Sequence, residues 1–117
     1  MTTSQIILDD RSVDRDAVLA NAARAAGGLE AVGVREGDAV ALLLRNDFAF
    51  IEATQACALL GAYCVPINWH GKPDDVRYIL DDVKAKVLVA HADLITPLRG
   101  ALPPGLTVLM VSTPSEV

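Results

Sequence analysis

Basic residues, cysteines and long apolar runs are all scarce in this sequence. Lys and Arg number 10 against 15 Asp and Glu, for a formal net charge of −5, and no basic cluster stands out. A phosphate backbone requires a basic face, so nucleic acid is not an expected partner. An anionic membrane surface is disfavoured on the same ground. The two cysteines, Cys57 and Cys64, have neither CxxC nor metal-ligand spacing. They read as two buried, reduced thiols of a cytoplasmic protein. The opening MTTSQIILDD has no basic start and no long apolar core, which excludes a secretory signal. The longest uncharged stretch, Ala53 to Gly71, contains Gln55, Gly61, Pro66, Asn68 and His70 and is rejected as a membrane span.

Recognisable catalytic signatures are missing too. There is no GxGxxG, hence no dinucleotide fingerprint. Gly71-Lys72 superficially resembles the end of a Walker A loop. Position 66, however, is proline where that loop needs glycine, and Pro73 stands where it needs Ser or Thr. No GxSxG elbow occurs, and Ser4, Ser12, Ser112 and Ser115 lie near the chain ends. His70 and His91 lack metal-ligand spacing, so no metal site is expected.

What is present is an ordinary globular composition, 52% hydrophobic and 21% charged over 117 residues. That is enough for one domain with a real core. Strand and helix patterns alternate. Gln5 to Leu8 and Arg11 to Val13 predict a small hairpin around Asp9-Asp10. Asp14 is placed to cap an alanine-rich helix over Ala17 to Val32, whose small side chains suit close packing on a sheet. Gly33 ends that helix in the left-handed conformation, with Val34 folding back on Leu29. Ala39 to Leu44 (AVALLL) is apolar on both faces, which predicts a parallel strand covered on both sides. Asn46 or Asp47 caps a helix from Phe48 to Leu60 that is apolar nearly all round and expected to be well buried. Gly61 ends it.

Tyr63 to Ile67 (YCVPI) is the next strand, with Pro66 at its end or on an edge. After the loop Trp69-His70-Gly71-Lys72, Pro73 opens a helix striped by Val76, Ile79, Leu80 and Val83. Lys86 to Ala90 forms a strand. Asp93 caps a short helix running to Arg99, Pro103-Pro104-Gly105 breaks the chain, and Thr107 to Val111 is a last strand. Residues 112–117 read as a flexible tail. The fold class is α/β: an open, mostly parallel sheet with helices on both faces, preceded by a small hairpin, all in one subdomain over residues 1–117. Ligands in such sheets gather at the carboxyl ends of strands. Those ends lie near Arg45-Asn46, Asn68-Trp69-His70, His91 and Ser112-Thr113.

Asp9-Asp10 after a strand also resembles the start of a response-regulator receiver domain. Such a domain needs an acceptor aspartate after its third strand and a lysine at the end of a late strand. Here Tyr63 to Ile67 ends in Asn68, and no lysine follows Lys86. That reading is secondary, as is a standalone, catalytically silent binding module.

Three stretches taken together resemble the N-terminal part of the AMP-forming acyl-CoA synthetases. Val34-Arg35-Glu36-Gly37-Asp38-Ala39-Val40-Ala41, with Asn46 following, matches the family's V-x-x-G-D-x-V-A pattern and its later Asn. Gly61 to Asn68 matches its strand ending V-P-I-N, and Lys72 to Leu88 matches its T-P-x-E-L-x-Y helix and the strand after it. Lys72 departs from the usual Ser/Thr cap, and Trp69-His70-Gly71 departs from a commoner Pro/Arg-containing loop. The resemblance implies a parent enzyme that uses ATP, Mg²⁺ and CoA to activate a small carboxylic acid as an acyl-adenylate and then form a thioester. It implies that the family's reactive motifs lie downstream of Val117. No catalytic residue and no cofactor is therefore assigned to this segment. Asn46, Asn68, Trp69 and His70 are the candidates for positions next to substrate or nucleotide. The expected partner is the remainder of the enzyme, with self-association where strand edges are left open.

Overall fold

A computed structural model describes residues 5–8, 11–45, 48–68, 70 and 72–111. The sequence AVALL forms the strand β3 (Ala39–Leu43) in the middle of the molecule, where alternate side chains enter two separate cores. Val40, Leu42 and the following Leu44 point to one face. Ala41 and Leu43 point to the other, and all five are buried. The apolar run is continuous because the strand has no solvated side.

Around it lie β4 (Tyr63–Pro66), β5 (Val87–His91) and β6 (Thr107–Val111), in the order β4-β3-β5-β6 and all parallel. The hairpin β1 (Gln5–Leu8) and β2 (Arg11–Asp14) forms a separate antiparallel sheet, with Leu8 opposite Arg11. Asp9 and Asp10 lie outside the described residues. The strands that flank them do not belong to the parallel sheet, so a receiver-type acidic pair at that sheet's carboxyl end is not what this fold builds.

The first face of the sheet is covered by α1 (Arg15–Ala31) and α2 (Phe48–Leu60). Ala26 and Leu29 of α1 and Ala53, Ala56 and Cys57 of α2 share one core with Val40, Leu42 and Val87. The sequence suggested that α1 packs on the sheet; its principal neighbour is α2 instead. Val18, Ala22, Ala26 and Leu29 are the buried residues of α1. Gly27 and Gly28 face open space. The second face holds α3 (Pro73–Val83), the short α4 (Ala92–Ile95) and a 3₁₀ turn (Thr96–Ala101), packed through Val76, Leu80, Ile95 and Leu98. The predicted helix over 93–99 is thus split. Pro97 has no N–H to donate to an α-helical ladder, and a tighter turn follows.

The helix ends show local sequence acting on backbone geometry. At Gly33 (φ 101), Val34 N donates to Leu29 O at 3.0 Å and Gly33 N to Glu30 O at 3.0 Å. The same paired bonds recur at Gly61 (φ 70), with Ala62 N to Cys57 O at 2.9 Å. In both, glycine occupies the left-handed position that lets the last carbonyls be satisfied. The third helix stops in the same way but with Lys84 in that position (φ 53), which the sequence pattern does not signal. Lys72 precedes α3 without any side-chain cap, and Pro73 fills the first helical position.

Two expectations about burial change. Helix α2 is apolar all round, yet only Ala53, Ala56 and Cys57 are buried and Leu59 is 64% exposed. An apolar surface is buried only where another element covers it, and α1 and the sheet cover one side. Cys64 is half-buried, whereas Cys57 is fully buried; both are free thiols. Pro66 sits at the last position of edge strand β4, as its chemistry requires. The neighbouring bonds show its orientation: Tyr63 N donates to Asp38 O at 2.8 Å and Ile67 N to Leu42 O at 2.8 Å. Odd-numbered residues therefore donate inward to β3, and Cys64 and Pro66 face outward. Proline leaves the Cys64 N–H as the one outward donor of β4.

Candidate functional site at the carboxyl ends of the sheet

Strand order reverses between β3 and β5. The chain leaves β3 for β4 on one side, then crosses back through α3 to β5 on the other. In an open parallel sheet this reversal splays the loops and leaves a crevice at the carboxyl ends. Here a polar cluster spans it. His91, the last residue of β5, is 1% exposed and is the buried polar residue among those described. Its Nδ1 accepts the Arg45 backbone N–H at 3.1 Å. Accepting there requires an unprotonated Nδ1, which assigns the neutral ring with its proton on Nε2.

The Arg45 side chain turns to Asp93, in the first turn of α4. Nη1 meets Oδ1 at 2.8 Å and Nη2 meets Oδ2, a two-pronged ion pair. Asp93 therefore does not cap the helix, as the sequence suggested. His91 occupies the N-cap position, with no side-chain cap bond, and Asp93 ties α4 to the end of β3. The Asp93 hydrogen bonds hold the Arg45 guanidinium above even its usual high pKa. The three residues are separated by 46 and 48 positions in sequence, so no local pattern could have found them together.

On the other side of β3, Asn68 and His70 follow β4. Asn68 Oδ1 accepts the His70 N–H at 3.0 Å, a side-chain-closed turn, and both residues are exposed. The structure does not join them to the Arg45–His91–Asp93 cluster by any described bond. Asn46 and Trp69 lie outside the described residues, as does Asp47.

Another concavity lies at the opposite end. A groove of about 540 Å³ runs beside β4 at the amino ends of the strands, lined by Asp38, Tyr63, Val65, Val83 and Lys84 among others. Its carboxylate, Asp38, is committed to the fold. Asp38 Oδ2 accepts the Arg35 N–H at 2.8 Å and lies 3.3 Å from Lys86 Nζ. The Arg35 N–H first, and the Lys86 ammonium after it, hold the Asp38 carboxyl below the usual aspartate range. Chemistry in parallel sheets belongs to the carboxyl ends, so this groove is not taken as the site.

Among the described residues the donor set does not fit a magnesium nucleotide. Among the described residues no three His, Cys, Asp or Glu side chains cluster to hold a metal. The acidic group at the crevice, Asp93, is engaged by Arg45. What these residues define is an α/β scaffold whose switch point is closed by a polar clasp.

The sequence matches the family model described as AMP-binding enzyme over residues 4–116, and the chain belongs to that family. It is 40% identical over 79 residues to a feruloyl-CoA synthase of Amycolatopsis sp., covering 65% of this chain and 16% of that protein. To the long-chain-fatty-acid–CoA ligase FadD13 of Mycobacterium tuberculosis it is 40% identical over 86 residues, covering 70% and 17%. Among solved structures it superposes on the anthranilate CoA ligase AuaEII, in complex with anthranoyl-AMP. The TM-score is 0.78 at 33% identity, with 87% of this chain and 20% of that one covered. The chain thus spans about a sixth of the length of these curated relatives. No described helix is long and apolar enough to cross a membrane.

Proposed function

We propose that this chain is the N-terminal part of an AMP-forming acyl-CoA synthetase. In that reading the parent enzyme joins a small carboxylic acid to AMP and then passes the acyl group to the CoA thiol, in the cytoplasm. The observation that carries it is the family match over residues 4–116, combined with relatives that are CoA ligases several times longer. Those relatives act on aromatic and on fatty substrates by name, so the substrate is proposed only as a carboxylic acid. ATP, Mg²⁺ and CoA are assigned to the remainder of the enzyme.

These residues supply scaffold in that reading. The clasp at the switch point, which engages the Asp93 carboxylate with Arg45 and His91 with the Arg45 backbone, supports it. Phosphoryl charge needs prepositioned cations and donors, and no polar scaffold of this kind replaces them. Asn46, Asn68, Trp69 and His70, which follow β3 and β4 in sequence, are proposed as the positions nearest the substrate or nucleotide. None is given a catalytic role.

Acid-dependent ATP–pyrophosphate exchange tests this reading. The 117-residue polypeptide should show no exchange above background. The same residues joined to the polypeptide encoded after codon 117 should exchange when a carboxylic acid is supplied. Turnover by the short polypeptide alone would overturn the scaffold assignment. No exchange by the long one with any aromatic or fatty acid would overturn the ligase assignment.

A further inference from the structure

The chain passes from β3 into α2 through a two-residue span that is pinned at both ends. Only Asn46 and Asp47 separate Arg45 from Phe48, the first residue of α2. On the far side, Ala53, Ala56 and Cys57 fix α2 in the core, and Asn21 Nδ2 donates to Glu52 Oε2 at 2.8 Å. On the near side, the β3–β5 ladder ends at the pair Leu43–Ala90. Packing holds Leu44, which is 4% exposed. Arg45 is only half-buried and is held by bonds instead. Its N–H donates to His91 Nδ1 at 3.1 Å, and its guanidinium forms the two-pronged pair with Asp93.

Both anchors stand on fixed elements. Every residue of β5, His91 included, is buried. Asp93 belongs to α4, whose Ile95 is buried in the second core. The Arg45 backbone is thus held through its own N–H, and its side chain through a planar fork that a carboxylate meets in one orientation. A residue held in this way sets the direction in which the next one leaves. Backbone that is left free must be ordered when a ligand binds, which weakens binding, whereas backbone ordered beforehand carries no such cost.

We propose that Arg45, clasped by His91 and Asp93, is the positioning residue for Asn46. It orders the span between β3 and α2, so that Asn46 meets bound substrate or nucleotide with its backbone already set. Arg45, His91 and Asp93 act through Asn46 in this role and touch no ligand themselves. The assignment rests on the proposed function, in which Asn46 is a position next to the ligand. It adds to that reading the three residues, distant from Asn46 in sequence or silent in it, on which the affinity of the site depends.

The test is acid-dependent ATP–pyrophosphate exchange by these residues joined to the polypeptide encoded after codon 117. Asn46→Ala identifies the ligand concerned, as the one whose KM it raises. Asp93→Asn and Arg45→Lys, neither of which can form both prongs, should raise that same KM about fivefold with kcat within about twofold. The double variant of Asn46→Ala and Asp93→Asn should have the KM of Asn46→Ala alone, because Asp93 acts through Asn46. His91→Asn keeps an acceptor for the Arg45 N–H and should retain the wild-type KM, whereas His91→Leu should not. Urea unfolding checks that each variant is folded. An unchanged KM in Asp93→Asn and Arg45→Lys would overturn the assignment. So would effects that multiply with Asn46→Ala, or an Asn46→Ala that changes neither KM. A wild-type enzyme without exchange is a separate failure, which overturns the ligase reading. The clasp is then judged in the 117-residue polypeptide by hydrogen exchange at the Arg45 amide, about tenfold faster in Asp93→Asn than in wild type. An unchanged rate there would overturn its hold on the span.

Discussion

Two residues show how a single position sets a local free energy. Lys84 holds a left-handed conformation, φ 53, at the end of α3, where α1 and α2 use glycine. A side chain there carries a strain that glycine does not, offset in part by glycine's larger entropy when unfolded. Lys84→Gly should therefore stabilise the domain by about 0.5–1 kcal/mol, read as a higher urea midpoint at unchanged slope. Cys57 gives a pH dependence. Its folded pKa is raised to about 11 from an ordinary value of 9.0, so the folded state keeps the proton longer than the unfolded one. Its contribution is fully present below the unfolded pKa and is lost as pH rises through the folded one. Unfolding midpoints should fall between about pH 9 and 11, and Cys57→Ala should flatten that limb. Sequence alone foretold a buried thiol at position 57. The half-exposure of Cys64 was not foreseen: Pro66 allowed either a strand end or an edge, and β4 takes both.

At the scale of elements, the carboxyl ends of β3 and β5 are joined by chemistry rather than by packing. His91→Ala removes a buried ring and leaves the Arg45 N–H without that acceptor. It should cost about 2–4 kcal/mol, the sum of a cavity and a lost hydrogen bond. Asp93→Ala breaks an ion pair whose side chains are 18% and 36% exposed and should cost only about 1 kcal/mol. A thermal or urea series on the two variants checks the ordering, and equal costs would contradict it. The elements themselves were largely legible. The apolar run AVALLL demanded cover on both faces, Gly33 and Gly61 marked helix ends, and Pro73 marked a helix start. The clasp was not legible, since its members lie 46 and 48 residues apart. Sequence patterns report what a residue does to its neighbours in the chain. Only the crossover through α3 brings β5 beside β3.

For the whole molecule, the apolar surface is incompletely covered. Leu59 near the end of α2 and Tyr63 in β4 are 64% and 68% exposed, and Met110 in β6 is 58% exposed. None of the β6 side chains is fully buried, although the strand TVLMV is apolar apart from its first residue. Apolar edges of this kind drive association. Sedimentation of the 117-residue polypeptide should show a species larger than the monomer that dissociates on dilution. A clean monomer at high concentration would contradict this.

The proline at the end of β4 would give such association a symmetry. With Pro66 facing outward, that edge offers a single backbone donor, whereas β6 contains no proline at all. Two copies related by a twofold axis can meet only through identical edges, and strands related in that way run antiparallel. Joined at β6, two four-stranded sheets become one sheet of eight, parallel within each half and antiparallel at one central seam. Its two outer rims are then both β4, each blunted by its proline. The same residue that ends a strand within one copy would close the pair, so that growth stops at two and does not run on into a fibre.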